Sequence, residues 1–419
     1  MEIRSEKLEV RKANTLLPEL RFPEFQNTSE WKSKTLGVLA KCKNKHRKPI
    51  TSNQRTKGPF PYYGASGIVD FVDDFIFDYP NLLIGEDGAK WGAFERTAFI
   101  VEGKYWVNNH AHVFSSADFD LRFIENFLVM LDIAPFVTGA APPKLTLDSV
   151  KRIPIPVPPT ISEQQKIADC LGSLDELIAA QRAKLAALQD HKKGLLQQLF
   201  PAEGQTTPTL RFPEFDGKKE WVPRTVDDVA SILMGNAFKS SDFSEKGIQL
   251  VRMGNLYQGS LDLDRSPVFL PSHFEQSSSS FLLKPSDLLM SMTGTVGKTD
   301  YGFVVQVSET SGQLLINQRV IKITPKRGFI KEFLLHLFQS APFLNNLYAS
   351  AAGTKQANLS TVKLKRLGVP CPMPAEQQKI AHCLSDLDFL ITAQTEQIAS
   401  LQEHKKGLMQ QLFPNPELR

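Results

Sequence analysis

The segment HKKGLLQQLFP, residues 191–201, returns almost unchanged as HKKGLMQQLFP at 404–414. A chain that carries this segment twice, 213 positions apart, has to build two equivalent surroundings for it. The repeat reaches well beyond these residues. LRFPEF stands at 20–25 and again at 210–215, and Trp31 and Trp221 follow at the same distance. EQQKIADCLGSLDELI (163–178) is matched by EQQKIAHCLSDLDFLI (376–391). The stretches between correspond more weakly: PNLLIGEDG (80–88) with PSDLLMSMTG (285–294), VNNHAHVF (107–114) with INQRVIKI (316–323), and PKLTLDSVKRIPIPVP (143–158) with QANLSTVKLKRLGVPCP (356–372). The offset between copies grows from 190 to 213, so the second half holds 23 extra residues, mostly before 285, around GSLDLDRSPVFLPSHFEQSSSS (259–280). A duplication that only enlarges a core lets all parts drift alike. Here one part has drifted far and the other hardly at all, as divided duties would produce.

The near-constant segments have helical periodicity. Ile167, Leu171, Leu174, Ile178, Gln181, Leu185, Leu188, Lys192, Leu195 and Leu199 step by four and three without a break, and the series from Ile380 to Leu412 repeats it. That is a heptad seam. Acidic first turns at Glu163 and Glu376 and stops at Pro201 and Pro414 bound each helix. A helix of this length is a rod of roughly 58 Å at 1.5 Å rise per residue. Two such helices in one chain most simply pair with each other. An antiparallel register sets Gln181 opposite Lys405 and Gln394 opposite Lys192, whereas a parallel one would face Lys192 with Lys405. The variable segments carry short apolar runs such as TAFIVEG (97–103) and GFVVQV (302–307), broken by Gly, Pro, Asn and Asp, which are strand signals. Helical stretches lie near 121–133 and 329–348. The expected fold class is α+β: two mixed α/β domains joined by two long helices that form an antiparallel coiled coil, with an internal twofold repeat. The expected boundaries are an N-terminal tail at 1–16, a first variable domain at 17–157, a central helix at 158–201, a second variable domain at 202–371, a second helix at 372–415 and a tail at 416–419.

Composition excludes several classes. At 42% hydrophobic and 22% charged the chain is that of a globular protein, and its 419 residues are too many for one ordinary core. No run approaches the ~20 apolar residues of a membrane helix. MEIRSEKLEVRKANTL at the start lacks an apolar signal core, so a cytoplasmic location is expected. Cys42, Cys170, Cys371 and Cys383 are scattered, which argues against a zinc site. A net charge of +4 permits an anionic partner without demanding one.

Catalytic patterns are weak. MTGTVGKT (292–299) ends like a phosphate-binding loop, but Met292 stands where the first glycine is required. APPK (141–144) departs from the methyltransferase motif it resembles at both ends, Ala141 and Lys144. Asp87 with Glu102 and Lys104 fits the carboxylate spacing of metal-dependent DNA nucleases, an enzymatic alternative with no counterpart in the second half. Binding patterns are richer. KCKNKHRK (41–48) is dense in cations, and Lys43, Lys45, Arg47, Lys48, Arg55, Lys57 and Tyr63 interleave charge with an aromatic, as nucleic-acid surfaces do. Alone, such a run is usually a solvated face. Lys90, Asn109, His110 and Lys144 extend the candidate DNA contacts in the first half, although NNHAH (108–112) also reads as a turn with a surface histidine. Lys239, Arg252, Asn255, Thr293, Lys298, Arg319, Lys355 and Gln356 are the candidates in the second half. Arg, Asn and Gln make bidentate contacts to base edges, while lysines neutralise phosphates.

In their order, twice over, LRFPEF, NLLIGEDG and DLLMSMTGTVGK, and IPIPVPP followed by EQQKIADCLGSLDELI resemble the specificity subunits of type I restriction–modification enzymes. The resemblance runs from about residue 17 to 415. It implies two target-recognition domains, each reading one half of a bipartite, asymmetric DNA site, on a non-catalytic subunit. It implies partners: double-stranded DNA, two adenine-methyltransferase (modification) subunits, and through them restriction subunits. S-adenosylmethionine, ATP and Mg are then expected in those partners, with no cofactor and no metal in this chain. It does not carry over base-contacting residues. Lys192 and Lys405 sit on the seam, where Leu would pack better, and Gly194 and Gly407 sit mid-helix at about 1 kcal/mol each relative to Ala. Those residues, with Lys193 and Lys406, are expected to form two equivalent docking sites for a partner.

Overall fold

The computed structural model describes residues 16–414, apart from 258, 296, 310, 311 and 351–355. The chain divides into two compact units, Met1–Ala183 with Glu396–Arg419, and Lys184–Thr395. Two long helices, Ile161–Gln198 and Pro374–Leu412, are present where the heptad pattern places them. Each begins in one unit and ends in the other. Among the described residues no helix is long and apolar enough to cross a membrane.

In the first unit a four-stranded antiparallel sheet runs in the order Lys41–Cys42, Ala111–Ser115, Asn81–Gly85, Ala98–Val101. Asn81–Gly85 is buried throughout, which is why NLLIG shows no alternation. A three-stranded sheet sets Phe60–Gly64 between Gly67–Val72 and a parallel partner, Trp106–Val107. The helix Leu121–Met130 buries Phe123, Ile124, Phe127 and Leu128 in one core with Leu82, Ile84 and Phe114. The second unit repeats this plan. Its four strands run Ala230–Met234, Val320–Pro325, Leu288–Ser291, Val304–Gln306, and its three-stranded sheet sets Ile248–Val251 between Phe269–Leu270 and Leu314–Ile316. Lys331–Gln339 takes the place of the core helix. The mixed α/β content, built twice, matches the sequence reading. In both units a proline-bearing strand, Pro154–Val157 or Gly368–Cys371, makes a two-stranded edge pair. Proline lacks an N–H, and an edge tolerates that.

The near-constant residues form one construction per unit. Glu163, in the first turn of the first helix, is fully buried. Its Oε1 accepts from Arg21 Nε at 2.7 Å and Trp31 Nε1 at 3.1 Å, and its Oε2 accepts from Arg21 Nη2 at 2.8 Å. Glu376, at the same place in the second helix, takes the same three bonds from Arg211 and Trp221 at 2.8, 2.8 and 3.1 Å. LRFPEF and the tryptophan are therefore fixed by EQQKI. The helix ends complete the same cores. Leu412 and Phe413 are buried in the first unit, and Phe413 meets Trp31 edge-on at 6.5 Å. Leu199 and Phe200 are buried in the second, and Phe200 meets Trp221 at 6.2 Å. A fully buried phenylalanine contributes about 1.5–3 kcal/mol. Leu20 N–H donates to Gln411 O, and Leu210 N–H donates to Gln198 O, both near 3 Å. The LFP that ends each repeated segment is thus a structural anchor.

Each seam lysine meets an aspartate of the other helix. Lys405 Nζ pairs with Asp175 at 2.6 Å in the first unit, and Lys192 Nζ pairs with Asp388 at 2.5 Å in the second. Each carboxylate lies six residues before the expected partner. A half-buried ammonium needs a charged acceptor more than an amide, and the long lysine stem reaches one. In both units the start of one helix thereby joins the end of the other. His336, buried beside the second pair, is pushed down to about 3 by desolvation and by the Lys192 charge, so it is neutral there.

Replacing Glu163 with Ala should destabilise the first unit by about 3–5 kcal/mol, since a buried guanidinium and an indole N–H lose their acceptor. Glu376→Ala should do the same to the second unit. Hydrogen exchange resolved along the chain reads this, and equal loss of protection in both units for either change would refute the separate clasps.

Candidate nucleic-acid interface

The first unit joins three loop segments at one end of its central sheet. Glu86 N–H donates to His110 O at 2.8 Å, and Leu145 N–H donates to Glu86 O at 2.8 Å. This stitches 86–87, 108–110 and 144–145 together. The turn is held by Asn108 Oδ1 accepting from His110 N–H at 2.8 Å. The side chains there form a charged cluster. Glu86, only 8% exposed, accepts from Arg47 Nη1 at 2.6 Å and pairs with Lys144 Nζ at 2.9 Å. Burial raises the Glu86 carboxyl, but the Arg47 and Lys144 bonds outweigh it and hold the group below its ordinary range. His112 is buried, and desolvation lowers its affinity for a proton. Its Nε2 donates to Leu145 O at 2.8 Å, which leaves Nδ1 to accept from Asn44 Nδ2 at 2.8 Å. Asp87 meets the exposed His110 Nδ1 at 2.5 Å and lies 3.9 Å from Lys144.

The second unit stitches the same three segments with different residues. Met292 N–H donates to Arg319 O at 2.8 Å, and Leu359 N–H donates to Met292 O at 2.9 Å. Met292 thus replaces Glu86, Arg319 replaces His110 and Leu359 replaces Leu145. Thr293 stands opposite Asn358, and its hydroxyl donates to Asn358 Oδ1 at 3.3 Å. The backbone frame is shared and the side chains are not.

The residues singled out from sequence fall into three groups. His110, Asn109, Lys144, Thr293 and Arg319 gather at these two stitched sites. Lys45, Lys48, Lys57, Lys90, Lys239 and Lys298 are exposed. Others are spent internally. Arg47 is tied to Glu86 and to Asn109 O and Ala111 O. Arg55 lies 4.5 Å from the Tyr62 ring and pairs with Asp70. Tyr63 sets its ring edge-on to Tyr105. Lys43 is half-buried with its backbone N–H donating to Val113 O, but its ammonium has no intrachain partner among the described residues. Asn255 is buried, its Oδ1 accepting from Arg252 N–H and its Nδ2 donating to Asp262 O and Arg265 O. Lys355 lies outside the described residues, and Gln356 opens a strand opposite Thr295.

The nuclease constellation does not assemble. Asn81 pairs with Val101 and Ile84 with Ala98, so Asp87 and Glu102 extend from opposite ends of this strand pair. Three to four strand steps at ~3.3 Å already separate those ends by about 10 Å. Lys104 lies over the Phe75 ring at 4.6 Å. Among the described residues no group of three His, Cys, Asp or Glu could hold a metal.

On the long helices, Gly194 and Gly407 have open space where a Cβ would stand, Lys193 is exposed, and Lys406 lies 5.1 Å from the Phe94 ring. Lys192 and Lys405 are engaged by the aspartates described above. The sequence reading passed over Leu177 and Leu390, equivalent leucines that are 41% and 48% exposed. Their signal is an apolar residue lying off the four-three seam, beside Ile178 and Ile391.

The family described as type I restriction modification DNA specificity domain matches residues 28–190 and again 218–403. The chain belongs to this family. Among specificity subunits, that of the type I restriction enzyme MjaVIII from Methanocaldococcus jannaschii is 24% identical over 94% of this chain and 93% of its own. A putative type I specificity subunit from Haemophilus influenzae is 27% identical over 88% of this chain and 89% of its own. The crystal structure of a type I restriction-modification S subunit from M. genitalium shares the fold, with a TM-score of 0.60 at 15% identity over 95% of this chain and 99% of its own. The double match coincides with the two stitched sites, one in each copy of the specificity domain.

Arg47→Ala should destabilise the first unit by about 3 kcal/mol, because Glu86 stays buried with one fewer donor. Lys45→Ala, at an exposed side chain, should leave stability unchanged. Urea unfolding followed by tryptophan fluorescence checks both, and equal midpoints for the two variants would mean that Arg47 has no structural role.

Proposed function

We propose that this chain is the non-catalytic part of a type I restriction–modification enzyme that chooses its DNA sequence, and that each unit reads one half of a bipartite, asymmetric site. The observation that carries this is the stitched site built twice on one backbone frame with unlike side chains. An identical frame presents each site to the duplex in the same way. Different residues, His110, Lys144 and Asp87 against Arg319 and Asn358, then read different bases. The exposed lysines around the two sites supply sequence-independent affinity through phosphate neutralisation.

The two long helices act, in this reading, as an antiparallel coiled coil that fixes the distance between the half-sites. The lysine–aspartate pairs support it, since each joins the start of one helix to the end of the other. Two modification subunits dock on the helices at equivalent places, through Leu177 and Leu390 with the neighbouring Lys193, Gly194, Lys406 and Gly407. Exposed leucines at matching positions, and glycines open to approach, support a partner there. S-adenosylmethionine, ATP and Mg belong to the partner subunits, and restriction subunits join through the modification subunits. The assembly works in the cytoplasm, where cellular DNA is accessible to it.

Matched insertions of one heptad after Leu185 and after Ile398 should lengthen the spacer of the methylated motif by roughly three base pairs, from ~10 Å of added helix, and leave both half-sites intact. Methylation mapped genome-wide in cells expressing the variant with its modification subunits reads this; altered half-sites with an unchanged spacer would reject the ruler. Leu177→Glu and Leu390→Glu together should abolish co-purification of the modification subunits while the chain keeps its melting temperature. Retained stoichiometry would place the docking surface elsewhere.

A further inference from the structure

Most of the 23 extra residues of the second half enter at one place. In the first unit Phe60–Gly64 turns into Gly67–Val72 through two residues, 65–66. In the second unit the matching strands Ile248–Val251 and Phe269–Leu270 are separated by 252–268. That insert folds back as a short hairpin, Leu256–Tyr257 against Ser260–Leu261, and its ends wall a cavity of about 380 Å³ beside Arg319. Arg252, Arg265, Ser266, Asn317, Gln318 and Arg319 line the cavity, and no carboxylate side chain does so among the described residues. The stitched site of the first unit differs in kind, since there Glu86 and Asp87 meet the cations.

Two of the cationic groups of this cavity are held in place, and the third is left available. Arg252 is fixed by one bond, Nη2 to Ser266 O at 2.6 Å, while its Nε is buried without a hydrogen-bond partner. Arg265 lies 4.6 Å from the Tyr257 ring, which orients the guanidinium. Arg319 is exposed, and its guanidinium has no intrachain partner among the described residues. Four non-glycine residues among those described take a left-handed backbone, and two of them, Ser266 at φ 51° and Arg319 at φ 77°, line this cavity. Such conformations are unfavourable and persist where the surroundings impose them, often at binding sites. A concave, strained site with oriented guanidiniums and no acid suits a planar ligand edge with paired acceptors. In double-stranded DNA that edge is guanine O6 and N7, the common bidentate target of arginine. A backbone phosphate offers acceptors too, but exposed lysines already supply such contacts, and a phosphate needs no recessed, preorganised fork.

We infer that the insert at 252–268 makes the second unit a guanine reader, with Arg319 and Arg265 contacting base edges from the two walls of one pocket and Arg252 positioning the insert between them. This rests on the reading of the chain as a DNA-specificity subunit. The test maps methylated motifs in cells expressing the full chain, wild type or variant, with its modification subunits. Arg319→Ala and Arg265→Ala should each relax the requirement for a G·C pair in the same half-site, lowering discrimination there roughly 5- to 150-fold, the equivalent of one bidentate pair. The other half-site stays intact and shows that the variants fold. Arg319→Lys should behave like Arg319→Ala, because it keeps the charge and loses the fork. Three results would overturn the inference: a half-site without any G·C pair, relaxation in opposite half-sites by the two variants, or uniform weakening across all sequences with a shallower salt dependence, which marks a phosphate contact. If the wild-type chain directs no methylated motif at all, the specificity-subunit reading fails first and takes this inference with it.

Discussion

Everything in this chain depends on two buried carboxylates. Glu163 and Glu376 each accept a bidentate arginine and an indole N–H with no water access, at the first turn of a long helix. A buried charge is tolerable only when it is paired and fully hydrogen-bonded. That demand forces LRFPEF and the following tryptophan onto the helix start. The tryptophan then presents its ring to Phe413 or Phe200, the end of the other helix. Neither core is complete from one continuous stretch of sequence, so the folding of each unit requires both helices. This accounts for the near identity of EQQKI and LLQQLFP across the two halves, because each residue has the same neighbours in both places.

A frame constrained so tightly leaves the far end of each sheet free to vary. The backbone bonds that stitch three segments there are the same in both units, and backbone bonds do not depend on side-chain identity. Glu86, His110 and Lys144 therefore give way to Met292, Arg319 and Asn358 without disturbing the sheet. The same freedom admits the insert at 252–268, which enters at a hairpin turn where extra chain disturbs no ladder.

Much of the fold was legible in the residues themselves. The four-three spacing marked both long helices, and the apolar runs TAFIVEG and GFVVQV marked strands. Even the weak matches, VNNHAHVF with INQRVIKI and PNLLIGEDG with PSDLLMSMTG, proved to be equivalent strands and turns. The sites were less legible. Arg47 and Asn255 look like polar groups offered to a ligand, yet the first neutralises Glu86 and the second closes its own loop. Asp87 and Glu102 look like a metal pair, yet antiparallel pairing sends them to opposite ends of two strands. The seam lysines were expected opposite glutamines, and the structure shows that their charge is met by aspartates six residues earlier.

By itself the sequence determined that there are two halves, where the helices run, which segments vary and which family the pattern resembles. These properties depend on local spacing and on repetition, which a linear chain displays directly. Only the tertiary structure decided which cations are free, which carboxylates are neutralised, and that the insert at 252–268 faces Arg319 across one cavity. Whether a polar side chain is spent or available depends on partners brought close through space, and no spacing along the chain encodes that.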